Sequence, residues 1–389
     1  MIMKPPIRVV LVHYRDDPNM GGALRVGESL ANRFDPSRVE PHLIFAYGSA
    51  GPVSSRSRAT AHFVGAKSSR DLLAWSQARA LVRALRPDIL HFVDPVTWLS
   101  LATAGIPAVR IYHLHTRPVP SLMQRSHKVA NWIIRHLVDA EICITHDARN
   151  AVVALGWAKP SSTFVVHNGI EVDRFSLVPD KAIARRELGL PQDVLLIGMV
   201  ARLVWWKGGL DLLKVLLRLP ARWHAMFAGE GPFDETLRRF VSENGLTART
   251  HFLGALADVR PAYGAMDAYA FLSRHEPFGL VLGEAMAAGV PVFGLLGEGG
   301  FSEPQYPLLT PENALLIPRA QPLDWCAEED PLVLDRLAKE LGLFGAGPKT
   351  AAIRVATAKE WVRTRFDAEI TARNVTEIYE KLLLQRHFD

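Results

Sequence analysis

Short apolar runs rich in β-branched residues alternate with stretches of helical periodicity from the first residues onward. The runs predict strands at Ile7–His13, His42–Tyr47, Ile89–Val93, Ala108–His113, Glu141–Thr145 and Thr163–His167. Between them, apolar positions three and four apart predict helices at Ala23–Phe34, Asp71–Leu85, Val96–Ala104 and Leu122–Val138. Strands that are apolar throughout are buried on both faces, and their alternation with helices is that of βαβ units on a parallel sheet.

Near 172–191 the pattern breaks. Asp173-Arg174-Phe175, Pro179-Asp180 and a charged helix Ala182–Leu188 closed by Gly189 read as a connector. Alternation then restarts, with strands at Asp193–Val200, His224–Ala228, His251–Leu253, Ala268–Leu272 and Pro291–Phe293 and helices at Gly209–Leu217 and Phe233–Asn244. From about Lys349 to Leu384 the chain is helical, and Ile370, Val375, Ile378 and Leu382 form a stripe that must be buried on one of the domains. The expected organisation is a doubly wound domain over 1–175, a linker over 176–191, a second such domain over 192–360, and a terminal helix within 361–389 free to cross back to the first.

Composition narrows what such a chain does. Its 389 residues are 49% apolar and 22% charged, enough to bury two cores and far from disordered usage. Against 40 Asp and Glu stand 45 Lys and Arg; the net +5 suits an anionic ligand such as a nucleotide and gives no ground for nucleic acid as a partner. Two cysteines, Cys143 and Cys326, exclude a disulfide framework or a multi-cysteine zinc site and fit a reducing cytoplasm. No run approaches the roughly 20 apolar residues of a membrane span, and Val9–Val12 is too short for a signal segment, so a soluble protein is expected. Arg125, His127, Lys128 and Arg135 lie among Val129, Trp132 and Ile133; a helix of this kind covers a sheet or rests peripherally on an anionic inner membrane face. No His-x-x-x-His with a third ligand occurs, so metal-independent chemistry is expected.

The densest chemistry lies in residues 273–292. A strand delivers a polar loop holding Glu276; Pro277 stands at a helix start, Glu284 lies two turns in, and Gly289 closes the helix. Amides of Phe278, Gly279 and Leu280 at the positive helix end suit a phosphate, and the two carboxylates suit sugar or ribose hydroxyls. Singly, each Glu also reads as a solvated acid. Arg202 and Lys207 occupy a strand-to-helix loop, where a fork and a point charge can clamp a diphosphate. Gly21-Gly22 opens a helix after the first strand, Gly229-Glu230-Gly231-Pro232 makes a tight turn, and His113-Leu114-His115 ends a strand. A dinucleotide oxidoreductase would need G-x-G-x-x-G and an acid ending the second strand; the chain has Gly21-Gly22 and Gly27, then Phe45-Ala46-Tyr47-Gly48, and fails both requirements.

The string from Ser273 to Val292 resembles the Glu-x7-Glu motif of the retaining, nucleotide-sugar-dependent glycosyltransferases of family four, and matching elements follow in order along roughly residues 7 to 300. The resemblance implies an α/β, GT-B fold of two Rossmann-like, doubly wound parallel-sheet domains facing each other across a cleft. It implies that Glu276 holds the transferred sugar, Glu284 the ribose, and the amides of Phe278, Gly279 and Leu280 the sugar or diphosphate. Arg202 and Lys207 would neutralise the leaving diphosphate, although Ala201 and Trp206 replace the usual glycine and small polar residue. Gly229 and Glu230 would sit beside the nucleotide, Gly21 and Gly22 would face the donor phosphates, and His115 rather than His113 would stand near the acceptor. The implied reaction is retaining glycosyl transfer from a nucleoside-diphosphate sugar to a hydroxyl of a glycan, glycolipid or small molecule, with no resident cofactor. A sugar-phosphate phosphorylase or isomerase, or a non-catalytic sugar-nucleotide-binding protein, would carry similar clamps.

Overall fold

The computed structural model describes residues 5–17, 21–118, 125–296, 308–319, 328–346 and 349–386. The chain forms two compact units, Met1–Gly169 with Ala368–Asp389, and Ile170–Asp367.

The first unit is built on seven parallel strands: β1 (Ile7–Arg15), β2 (Val39–Tyr47), β3 (Thr60–Phe63), β4 (Ile89–Phe92), β5 (Val109–Leu114), β6 (Ala140–Cys143) and β7 (Thr163–Val165). They lie in the order β3-β2-β1-β4-β5-β6-β7, so the crossover direction reverses between β1 and β4. Val9 to Val12 are fully buried, as strands covered on both faces must be. The described helices are α1 (Gly22–Arg33), α2 (Pro52–Arg56), α3 (Leu72–Leu85), α4 (Thr97–Ala102), α5 (Arg125–His136) and α6 (His146–Ala154). Asp71 and Thr145 start α3 and α6 by accepting from the amides of Ala74 at 3.1 Å and Ala148 at 3.0 Å.

The second unit repeats the plan. Its strands are β8 (Leu195–Val200), β9 (Trp223–Ala228), β10 (Thr250–Phe252), β11 (Ala268–Phe271), β12 (Val292–Leu296) and β13 (Leu315–Pro318), in the order β10-β9-β8-β11-β12-β13, all parallel. Its helices are α7 (Val172–Phe175), α8 (Lys181–Glu187), α9 (Gly209–Leu216), α10 (Asp234–Glu243), α11 (Arg260–Ala265), α12 (Leu280–Ala288), α13 (Pro331–Ala346) and α14 (Lys349–Arg365). Here the reversal falls between β8 and β11, whose carboxyl ends carry the Arg202–Lys207 loop and the Glu276 loop.

Two boundaries differ from the sequence-based expectation. Residues 176–191 are part of the second unit: Arg185 of α8, its side chain 3% exposed, pairs with Asp267 at 2.7 Å and donates to the carbonyls of Ala265 and Gln192 at 3.0 and 2.7 Å. The terminal segment is two helices, α14 in the second unit and α15 (Ala368–Arg386) in the first. The break between them is held by the Phe366 carbonyl, which accepts from the amide of Ile170 at 2.7 Å.

Among the described residues helix α5 ends at His136, before the Val138 its periodicity suggests, and its basic face is smaller. Arg135 is buried against Glu141 at 2.8 Å, both side chains 4% exposed, and lies over the Trp157 ring. Lys128, Val129 and Trp132 do face solvent. Leu122, Cys326 and the segment 297–307 lie outside the described residues. No described helix is long and apolar enough to cross a membrane.

Candidate active site

Sequence brings four strand-to-helix loops of the second unit to one sheet edge, and close backbone approaches lock them together. Gly208, at φ 77°, precedes α9; a Cβ there would stand 2.6 Å from the Leu272 carbonyl oxygen, so the loop after β8 lies directly on the loop after β11. The amide of Arg274 donates to the Trp206 carbonyl at 2.7 Å, and its guanidinium pairs with Asp211 of α9 at 2.6 Å, with side chains 6% and 3% exposed. This tie sets Lys207 against Glu276: the ammonium donates to the Glu276 carboxylate, and both side chains are largely withdrawn from solvent. His275 beside them is held below its ordinary pKa, chiefly by burial.

Gly229 makes the second lock. At φ 136°, a Cβ on it would sit 2.0 Å from the Ala201 carbonyl oxygen, and its amide donates to Gly254 at 2.7 Å. Leu203 donates to the Glu230 carbonyl at 2.9 Å, while the Glu230 carboxylate accepts from the amide of Ala255 at 3.2 Å. Arg202 projects from this locked set as an exposed guanidinium. Gly229→Ala should therefore displace the loop after β8 and abolish binding of any ligand held there, with β8 and β9 themselves intact; calorimetry against far-ultraviolet circular dichroism checks both halves.

On α12, Gly279 at φ 89° starts the helix without a side-chain cap, leaving first-turn amides, Leu280 included, for a ligand. Phe278 is buried edge-on to Phe366, with ring centroids 6.0 Å apart. Glu284 is 4% exposed and accepts from the Tyr263 hydroxyl at 2.8 Å. The site thus gathers Lys207, Glu276, Glu284, Glu230 and the amides near Gly279 in one unit. Asp211, Arg274 and Tyr263 escaped the sequence reading, because what they do becomes visible only when separate helices and loops meet.

In the first unit, Gly21 at φ 105° precedes α1, which also has no side-chain cap, and Gly22 is its first residue; Asn19 and Met20 lie outside the described residues. The two histidines of β5 separate. His113 is 1% exposed and its Nδ1 lies 3.2 Å from Nε2 of His91, inside the core. His115 stands past the strand end, half-buried and stacked on His113 at 4.3 Å. Near them the Asp94 carboxylate accepts from the Tyr14 amide at 3.1 Å and lies 3.4 Å from Nδ1 of His13.

Burial, aided by neighbouring imidazoles, pulls His91 to about 3 and His113 well below its ordinary value; for His115 burial wins over the opposing Asp94 carboxylate and takes it to about 4. All three are therefore neutral in the folded chain at pH 7. Below about 6.5, their unfolded value, the unfolded chain binds more protons. Stability is complete above that pH and declines as pH falls toward 4, by up to about 1.4 kcal/mol per pH unit for each ring. Melting temperatures measured from pH 7 to 5 should fall; a flat profile would contradict neutral burial.

Comparison with known proteins follows this geometry. The sequence model described as "Glycosyltransferase Family 4" matches residues 20–174, and that described as "Glycosyl transferases group 1" matches 180–303. The lipopolysaccharide core biosynthesis glycosyltransferases LpsE and LpsD of Rhizobium meliloti are similar: 26% identity over 80% of this chain and 84% of LpsE, and 24% over 98% and 100% for LpsD. Among solved structures, Anabaena Alr3699/HepE in complex with UDP-glucose superposes with a TM-score of 0.78 at 21% identity, covering 97% of this chain and 99% of that one. Two Rossmann-like parallel-sheet units, each matched by its own glycosyltransferase model, place this chain in the GT-B glycosyltransferases of the group 1, family 4 type.

Proposed function

We propose that the protein is a retaining glycosyltransferase that moves a hexosyl group from a nucleoside-diphosphate sugar to a hydroxyl of a glycan, glycolipid or small-molecule acceptor. The observation that carries this reading is the pairing of Lys207 with Glu276 beside the uncapped start of α12, with Glu284 buried on the same helix. A cation, helix amides and two carboxylates are what a charged diphosphate joined to hydroxyl-rich groups requires.

In this reading the donor splits the Lys207–Glu276 pair. Lys207, with Arg202 and the amides of Phe278, Gly279 and Leu280, takes the diphosphate; Glu276 accepts from sugar hydroxyls, Glu284 from the ribose, and Gly229 with Glu230 borders the nucleotide. The C1–O bond to the diphosphate breaks and the bond from C1 to the acceptor oxygen forms on the same face. The acceptor proton passes to a leaving diphosphate oxygen, and no metal takes part. Stabilising negative charge on the leaving group is the main catalytic task. In the first unit, Gly21 and Gly22 at the start of α1 face the donor phosphates and neutral His115 faces the acceptor. A mild basic surplus and the exposed Lys128, Val129 and Trp132 fit peripheral work at a cytoplasmic membrane face.

A thermal-shift screen of nucleoside-diphosphate sugars tests the donor, beginning with UDP-glucose, the compound bound in the Anabaena structure. The right donor raises the melting temperature, and an acceptor then releases nucleoside diphosphate with the product anomer matching the donor. Product without nucleoside diphosphate would mean a phosphorylase or isomerase; binding without turnover would mean a non-catalytic protein.

A further inference from the structure

Behind His115 lies a row of polar side chains that the proposed transfer does not use. The Tyr379 hydroxyl on α15 lies 2.6 Å from Nδ1 of His91 on β4, and Nε2 of His91 lies 3.2 Å from Nδ1 of His113 on β5. The His91 and His113 rings stack at 5.2 Å, and His113 stacks on His115 at 4.3 Å. Tyr379 and His91 are fully buried and His113 is 1% exposed. Among the described residues no three His, Cys, Asp or Glu side chains could hold a metal ion. Apolar side chains would fill the same space without the desolvation this row incurs, so its hydrogen bonds call for a use.

The direction of the row follows from counting donors. Burial keeps the Tyr379 phenol protonated, so it has a hydrogen to give. With Tyr379 donating to His91 Nδ1, His91 Nε2–H donates to His113 Nδ1, and the His113 proton sits on Nε2, which has no partner among the described residues. Reversed, the row would leave both the Tyr379 O–H and the His113 Nε2 lone pair buried and unpaired. The first arrangement leaves one orphan and is favoured.

We propose that Tyr379 is a positioning residue for His115: acting through His91, it fixes the proton and ring plane of His113, the surface on which His115 is stacked. This rests on the reading of His115 as the acceptor-side group. The other groups bearing on the row are His13 of β1 and Asp94 after β4; Asp94 is engaged with His13 and the Tyr14 amide. The C-terminal helix thereby supplies a side chain to the site without reaching the substrate.

The test uses the full chain with Tyr379→Phe, which keeps the ring against Phe34 and removes the hydroxyl. Imidazole nitrogen NMR of the unaltered protein should show His91 and His113 neutral with the proton on Nε2; in the variant both should become tautomer mixtures. Turnover should fall about 10-fold with the KM for the nucleotide sugar unchanged, the pattern of a misplaced group and not of lost binding. His91→Phe should reproduce the kinetic split by breaking the next link. Unchanged tautomers in Tyr379→Phe, or altered tautomers with unchanged turnover, would overturn the proposal. If Tyr379→Phe does not fold, a proton on Nδ1 of His91 in the unaltered protein overturns it alone. Failure of the transferase reading registers separately, as no nucleoside diphosphate release, and leaves the nitrogen spectra untouched.

Discussion

On the proposed transferase reading, Lys207→Ala should lower the rate of nucleoside diphosphate release by about 10²-fold or more, the loss expected when a preorganised charge facing the leaving group is removed. The reason lies in what Lys207 does before substrate arrives. Its ammonium is held against Glu276, with side chains 16% and 11% exposed, so neither charge must be gathered from solvent when the diphosphate enters. Arg202→Ala should act in the same direction, since that exposed guanidinium is uncommitted to an ion pair among the described residues and is free to follow the leaving group. Lys207→Arg should recover part of the loss, because charge is kept while the point-charge geometry is not. Glu276→Gln should also be slow, but for another reason: it releases Lys207 and replaces the charged, two-oxygen acceptor for sugar hydroxyls by a weaker neutral amide oxygen. Initial rates at saturating donor decide the matter, and rates unchanged in both Lys207→Ala and Arg202→Ala would remove the clamp from the mechanism.

The parts of the molecule that the sequence made legible share a property: their signal is local. The strand Val9–Val12 announced itself because a strand covered on both faces must be apolar throughout, and it is fully buried. Gly208, Gly229 and Gly279 all fall at strand-to-helix turns with positive φ, which a sequence marks by glycine. The parts that were not legible depend on distant partners. Strand β3, Thr60–Phe63, is a half-buried edge strand of four residues, too short for the alternation of Thr-Ala-His-Phe to stand out in the sequence. Helix α2 exists because Asp16, at the end of β1, accepts from the amides of Gly51, Val53 and Ser54. Arg135 read as part of a basic face, yet it is drawn inward by Glu141 on β6 and the Trp157 ring. Asp173 to Gly189 read as a connector because the alternation of strands and helices breaks there, whereas Arg185 is buried among carbonyls and Asp267. For Arg135 and Arg185 a charged residue was read by its own type, and its place was set by a partner on another element.

The same lesson gives the largest expected stability effect outside the substrate-binding groups. Arg274→Ala should destabilise the protein by about 3–5 kcal/mol, because it leaves the Asp211 carboxylate, 3% exposed, buried without its cation. Asp211→Ala should be comparable. Replacing both by apolar residues of similar volume should restore much of the stability, since desolvation of two charges offsets most of their attraction. That pair of results would separate two roles for the salt bridge. If it serves only stability, the apolar double variant is as active as the unaltered protein. If it positions the site, the double variant is stable and slow, because the Arg274 guanidinium ties the loop after β11 to Asp211 of α9, the helix that follows Lys207. The expected result is the second, with denaturation midpoint and turnover measured on the same preparations. A charge pair that apolar side chains can replace in the fold but not in the rate is one retained for placing Lys207 against Glu276.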